Sequence, residues 1–148
     1  MRNKPSLADK ILKSAGLDCN SKTTALPGVK LPVEPGEDAL LNAEEHHVYR
    51  SLVGLITFYS KLRADLLYAL KLCAHKLAAP TVLDQKRLKH LCRYVNGTRD
   101  FEMRLEPNKS LPWQLVCPVD SNWGNCEQTR NSTTGAVVTL LGCPLVFR

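Results

Sequence analysis

Cys117-Pro118-Val119-Asp120-Ser121-Asn122-Trp123-Gly124 is the stretch on which the reading of the whole chain turns. It closes a run in which Trp113, Leu115, Cys117 and Val119 recur at period two, the spacing of a strand with one buried face. Trp113, at the head of that run, is expected in the core. Asp120 ends the run, where a strand presents a carboxylate to a metal ion. Residues 121–132 read as a polar loop, and Gly135 to Leu141 as a second apolar run rich in β-branched residues. Gly142-Cys143-Pro144 then turns the chain into a short last strand, Leu145-Val146-Phe147. After Asp120 one further acid occurs, Glu127, and the sequence ends at Arg148. Two-metal phosphodiester chemistry needs several carboxylates to hold its ions about 4 Å apart. The expectation is therefore the opening of a catalytic domain without its remainder.

Upstream the period changes. Phe101, Met103 and Leu105 still alternate with charged residues, and Pro107 to Pro112 reads as a turn. Before them the spacing is helical. Thr81-Val82-Leu83-Asp84 caps a helix with Leu88, Leu91, Cys92 and Val95 inward and Gly97 as terminator. A helix from near Asp65 carries Leu66, Leu70, Cys73 and Leu77 and is stopped by Pro80. Asn42-Ala43-Glu44-Glu45 caps another, with Val48, Leu52, Leu55, Ile56 and Tyr59 on its apolar face. At the start, Ser6-Leu7-Ala8-Asp9 reads as a capped helix ending at Gly16. Residues 17–41, with Pro27, Pro32, Pro35, Gly28 and Gly36, show no period and form a long connection, tied down or loose. The organisation is thus 1–41, a short helix and its extended connection; 42–98, a basic helical region; and 99–148, a β segment. Helices first and strands after predict an α+β fold with segregated halves.

The 148 residues carry a net charge of +6, and that excess is confined to one segment. From Lys61 to Arg104 there are ten Lys/Arg and four Asp/Glu, whereas the remainder balances at ten of each. Within that segment Lys86, Arg87, Lys89, His90 and Arg93 lie away from the Leu88/Leu91/Val95 stripe. Such a face suits a phosphate backbone, because cations there gain from counterion release; it also suits plain solvation. No apolar run reaches the length of a membrane span, and the N-terminal residues lack the apolar core of a signal peptide. The six cysteines show neither Cys-x-x-Cys spacing nor scaffold density, which points to an intracellular, reducing compartment, cytoplasm or nucleus. His46 and His47 do not form a ligand pair, since adjacent residues point different ways on a helix.

Asp120-Ser121-Asn122-Trp123-Gly124 resembles the Asp-Ala-Asp-Trp-Ala-Gly motif of copia-type retrotransposon Pol polyproteins, with Asn122 in place of the second aspartate. Arg130-Asn131-Ser132-Thr133-Thr134-Gly135 is similar to that family's Arg-Arg-Ser-Thr-Ser-Gly, and Gly142-Cys143-Pro144 to its Gly-Gly-Cys-Pro. Upstream, Tyr49-Arg50-Ser51-Leu52-Val53-Gly54, Arg63-Ala64-Asp65-Leu66 and Arg93-Tyr94-Val95-Asn96-Gly97-Thr98-Arg99-Asp100 match further motifs in the family's order, over about residues 6–148. The resemblance implies a segment from the end of the reverse transcriptase into the start of ribonuclease H. The helices would be the thumb and connection, and the strands the first β-ribbon of an incomplete ribonuclease H fold.

By that resemblance Asp120 corresponds to the first metal-binding aspartate of ribonuclease H, ligating Mg²⁺ in a complete domain; an Asp that simply ends a strand is the plainer reading. Lys86, Arg87, Lys89 and Arg93 would contact the template–primer, an RNA–DNA hybrid. No Asp-Asp pair of a polymerase occurs in the chain, so the expectation is a chain inactive alone, needing no cofactor, and partnered by nucleic acid and the rest of the Pol polyprotein. Its place in the element's life cycle would be DNA synthesis preceding integration. The rival is a domesticated or remnant structural module that binds protein instead. Arg63 and Asp65 are expected to shape the helix junction.

Overall fold

Two capping boxes fix the framework of the computed structural model, which describes residues 5–29, 31, 34, 36–101, 103–124 and 130–147. The Asn42 side chain accepts from the Glu45 amide and the Glu45 carboxylate from the Asn42 amide, starting α2 (Ala43–Tyr59). Thr81 and Asp84 do the same for α4 (Val82–Gly97). α1 (Pro5–Ser14) begins one residue before Ser6, so Ser6 stands in the first turn rather than at the cap. It ends as expected. Gly16 takes φ +67°, and the Leu17 amide donates back to the Leu12 carbonyl at 2.8 Å. α3 is shorter than its apolar spacing predicts. Two 3₁₀ turns, Ser60–Leu62 and Ala64–Leu66, precede it, and the helix proper is Leu67–Ala74. The described residues thus form an α+β fold of four helices and one small antiparallel sheet, dividing between Met103 and Arg104 into two units.

The core belongs to the helical unit. Ile11, Tyr49, Ile56, Tyr59, Leu66, Leu88, Leu91, Cys92 and Val95 are almost completely buried; each such side chain contributes roughly 1.5–3 kcal/mol. The inward face of α2 is Tyr49, Leu52, Val53, Ile56 and Tyr59. Val48, expected inward, is 45% exposed. Leu52, Ile56 and Tyr59 face inward as expected and Leu55 packs against the core, while Tyr49 takes the place expected of Val48, its hydroxyl donating to the buried Cys73 carbonyl at 2.8 Å.

The described residues of the connection 17–41 are tied down. They run antiparallel to α4 as a strap, secured largely through their own backbone carbonyls. At one end the Asn96 amide donates to the carbonyls of Asp18, Cys19 and Ser21. In the middle the His90 imidazole donates from Nε2 to the Leu26 carbonyl at 2.9 Å. At the other end the amides of Val82 and Leu83 donate to Ala39 and Glu37, and Leu40 bridges to Thr81.

In the second unit, β3 (Thr133–Leu140) pairs with β1 (Leu115–Val116), β2 (Val119–Asn122) and β4 (Cys143–Phe147). β1 and β2 share one register against β3, Leu115 opposite Leu140 and Val119 opposite Ala136. They are one arm interrupted at Cys117-Pro118, since proline has no N–H for the ladder; its carbonyl still accepts from the Val137 amide at 3.1 Å. Leu141 and Gly142, both at positive φ, make the two-residue hairpin turn into β4. Cys143 and Pro144, expected in the turn, are already strand, and the pairing shifts between Val138 and Thr139 to take the proline.

Two expectations for this region are corrected. Residues 101 and 103–107 carry no strand, for no partner strand lies beside them among the described residues. Trp113 is 82% exposed rather than core. Leu115 and Val119 are likewise open, because alternation sorts residues by face without supplying a layer to cover that face.

Candidate nucleic-acid interface and the position of Asp120

α4 carries the four cations singled out from the sequence, and helical geometry sorts them. Leu88, Leu91, Cys92 and Val95 form the stripe turned to the core. On the opposite side Lys86, His90, Arg93 and Gly97 fall at i, i+4, i+7 and i+11, one line along the helix. The strap lies on that line. His90 holds Leu26, and a Cβ on Gly97 would stand 3.0 Å from the Cβ of Thr23. Gly97 therefore acts by admitting the strap, and the helix passes on to Thr98 without a left-handed residue there.

The charges on this face are unequally engaged. Lys86 pairs with the Glu37 carboxylate and lies 3.9 Å from that of Glu34. Glu37 is buried, and the Lys86 hydrogen bond followed by the Glu34 amide holds its carboxyl below the usual range. The same hydrogen bond raises Lys86. Arg87 donates to Asp84 at 3.1 Å, an i,i+3 pair. The Nε of Arg93 is enclosed and has no hydrogen-bond partner among the described residues. Lys89 is exposed and makes no ion pair among the described residues. Arg87 and Lys89 flank the strap line on its two sides. Sequence reasoning located these cations but missed Glu34 and Glu37, which come from an aperiodic connection about fifty residues earlier.

Arg63 organises the other end of the helical unit. Its guanidinium is buried, grips Asp65 through two hydrogen bonds of 2.9 and 2.7 Å, and donates to the Thr98 carbonyl and hydroxyl at 2.8 and 2.7 Å. It also lies over the rings of Tyr59, Tyr94 and Phe101. Burial pushes the Asp65 carboxyl up, but the Arg63 and Tyr94 hydrogen bonds outweigh it and leave it below its ordinary value. His46 is spent on structure, donating from Nε2 to the Leu77 carbonyl at 2.8 Å. Cys73 and Cys92 are buried thiols raised by desolvation to about 11 and about 12.

Asp120 lies on the exposed β2, opposite Gly135. Glu127, Cys126 and Thr129 fall outside the described residues. Among the described residues no three His, Cys, Asp or Glu side chains converge as a metal site. One exposed carboxylate does not meet the near-octahedral oxygen ligation that Mg²⁺ demands. No described helix is long and apolar enough to cross a membrane.

Over 94% of its length the chain is 35% identical to an uncharacterized mitochondrial protein of Arabidopsis thaliana. It is 30% identical over 80% of its length to the retrovirus-related Pol polyprotein from transposon RE2 of the same plant, and 28% identical over 62% to that from transposon RE1. The chain is a relative of retrotransposon Pol polyproteins. It spans 55% of the mitochondrial relative and only 7% and 6% of the two polyproteins. No family model matches it, and no solved structure matches it. Against the Pol relatives, the matched stretch includes at least part of the helical unit, because 80% of the chain exceeds the length of the sheet unit alone.

Proposed function

We propose that the chain is the part of a copia-type Pol polyprotein that runs from the end of the reverse transcriptase into the opening of ribonuclease H. Its helical unit lies against the backbone of an RNA–DNA hybrid. The observation that carries this is the placement of Lys86, Arg87, Lys89 and Arg93 on the side of α4 away from the core, within the segment that holds the whole net charge. The Pol relatives fit the reading, and the contact would be sequence-independent, since phosphates carry no base information. Asp120 takes the place of the first ribonuclease H aspartate. It would bind Mg²⁺ only with carboxylates supplied by the rest of the Pol polyprotein.

Fluorescence anisotropy with a labelled RNA–DNA hybrid at ~50 mM salt tests the reading. The native chain is expected to bind. R87Q/K89Q is expected to bind roughly tenfold more weakly, the loss of about two phosphate contacts. Equal affinity of the two proteins would contradict it. Added Mg²⁺ is expected to give neither primer extension nor hybrid cleavage, and turnover that vanished in Asp120→Asn would overturn the claim that the chain is inactive alone.

A second reading draws on the sheet. Trp113, Leu115, Val119, Trp123 and Val146 are all more than half exposed, an apolar display that suits association with protein. A remnant or domesticated interaction module would self-associate independently of salt and would not bind the hybrid.

A further inference from the structure

We propose that Glu34 and Glu37 act as built-in stand-ins for nucleic-acid phosphates, so that the hybrid must displace them from Lys86 to occupy the α4 face; the inference rests on the nucleic-acid reading given above. Lys86 is the first cation of the strap line, and both of its anionic neighbours come from the strap. The two carboxylates are held differently. Glu34 is largely exposed, whereas Glu37 is buried and receives the Glu34 amide as well as the Lys86 ammonium. The turn that places Glu37 uses Gly36 at φ +89°, a conformation that side chains strain to adopt. Glu37 is then locked by its backbone, its carbonyl accepting from the Leu83 amide in the first turn of α4. An anion approaching Lys86 therefore meets an occupied cation, and freeing Lys86 disturbs the Glu37–Leu83 contact. Lys89 stands to one side of the strap line with no such competitor among the described residues.

The consequence is an interface with two grades of cation. Lys89 is available at first encounter, and Lys86 only after exchange of carboxylate for phosphate. Such exchange lowers affinity without removing it and favours polyanions dense enough to engage both positions. A short or singly charged anion gains little.

Hybrid titrations of the native chain, E37Q and E34Q/E37Q test this, with circular dichroism to confirm that each variant is folded. Glutamine keeps the acceptor for the Glu34 amide while removing the charge. Binding of E34Q/E37Q is expected to be roughly fivefold tighter than native, with E37Q between them, as for the loss of a competing, partly exposed ion pair. K86Q is expected to abolish the difference between carboxylate and amide forms. Amide exchange at Leu83 is expected to quicken when the native chain binds the hybrid. Equal binding by native and E34Q/E37Q, with Leu83 exchange unchanged, would overturn the inference while leaving the nucleic-acid reading intact. Absence of binding by every variant would overturn both, and the native chain's failure in the R87Q/K89Q comparison would already have shown it.

Discussion

Arg63 shows how much of the helical unit rests on one side chain. A buried guanidinium needs its donors filled, and here Asp65 and Thr98 fill them while three aromatic rings close around the plane. Removing it leaves Asp65 without its cation and opens the junction between the 3₁₀ turns and the end of α4. Arg63→Ala is expected to lower unfolding free energy by about 3 kcal/mol in urea titration, and Arg63→Lys to recover only part, since lysine lacks the fork. A change within ±0.5 kcal/mol would contradict the assignment.

The depressed carboxyl of Asp65 fixes the sign of a pH effect. A folded-state value below the unfolded one means its stabilisation is complete above the ordinary carboxylate range and is lost as pH falls through the folded value. Glu37 acts in the same direction. Stability should therefore fall below about pH 4, and Asp65→Asn should flatten that fall while lowering the neutral plateau. The cysteines offer a separate check. Raised by burial, Cys73 and Cys92 carry almost no thiolate at neutral pH, so maleimide should label exposed Cys19 and Cys117 well before either. Early labelling of Cys92 would show that the core opens more readily than its packing implies.

At the scale of elements, what the sequence disclosed depended on how local the cause was. The caps of α2 and α4 lie within four consecutive residues, so Asn42/Glu45 and Thr81/Asp84 were readable directly. The core stripe of α4 was readable from its spacing. The path of the strap was not, because it is held through backbone carbonyls of Asp18, Cys19, Ser21 and Leu26, which every residue possesses. The same holds for Gly97, a residue whose close neighbour Thr23 lies far away in sequence. The late start of α3 follows from Arg63, whose backbone at φ −140° separates the two 3₁₀ turns and whose partner Thr98 lies far along the chain. Gly97→Ala gains helix propensity yet must push Thr23, itself flanked by anchored Ser21 and Thr24. The expected net loss is about 1 kcal/mol by thermal unfolding; a gain would mean that the strap yields at this point. Thr81→Ala should cost about 1 kcal/mol, the usual worth of such a cap.

At the scale of the whole molecule, the two units differ in how their apolar residues are used. The helical unit encloses its stripes, while the sheet displays Leu115, Val119 and Val146 to solvent. Amides of β2 and β3 should therefore exchange with solvent before those in the middle of α4, since local stability follows buried contacts. Asp120 belongs to this more open unit. The Asp-x-x-Trp-Gly pattern around it was legible in the sequence; its chemistry was not, because metal ligation depends on side chains that sequence spacing alone does not bring together.

On the nucleic-acid reading, the charge collected on α4 meets a phosphate backbone. The direct measurement is the affinity of the intact chain for an RNA–DNA hybrid between ~50 and ~300 mM salt. On this reading log K falls against log salt with a slope of about −2 to −3, reduced by about one in Lys89→Gln. No binding at the lowest salt, or a slope indistinguishable from zero, would contradict it and leave the cations of α4 as fastenings of the strap alone.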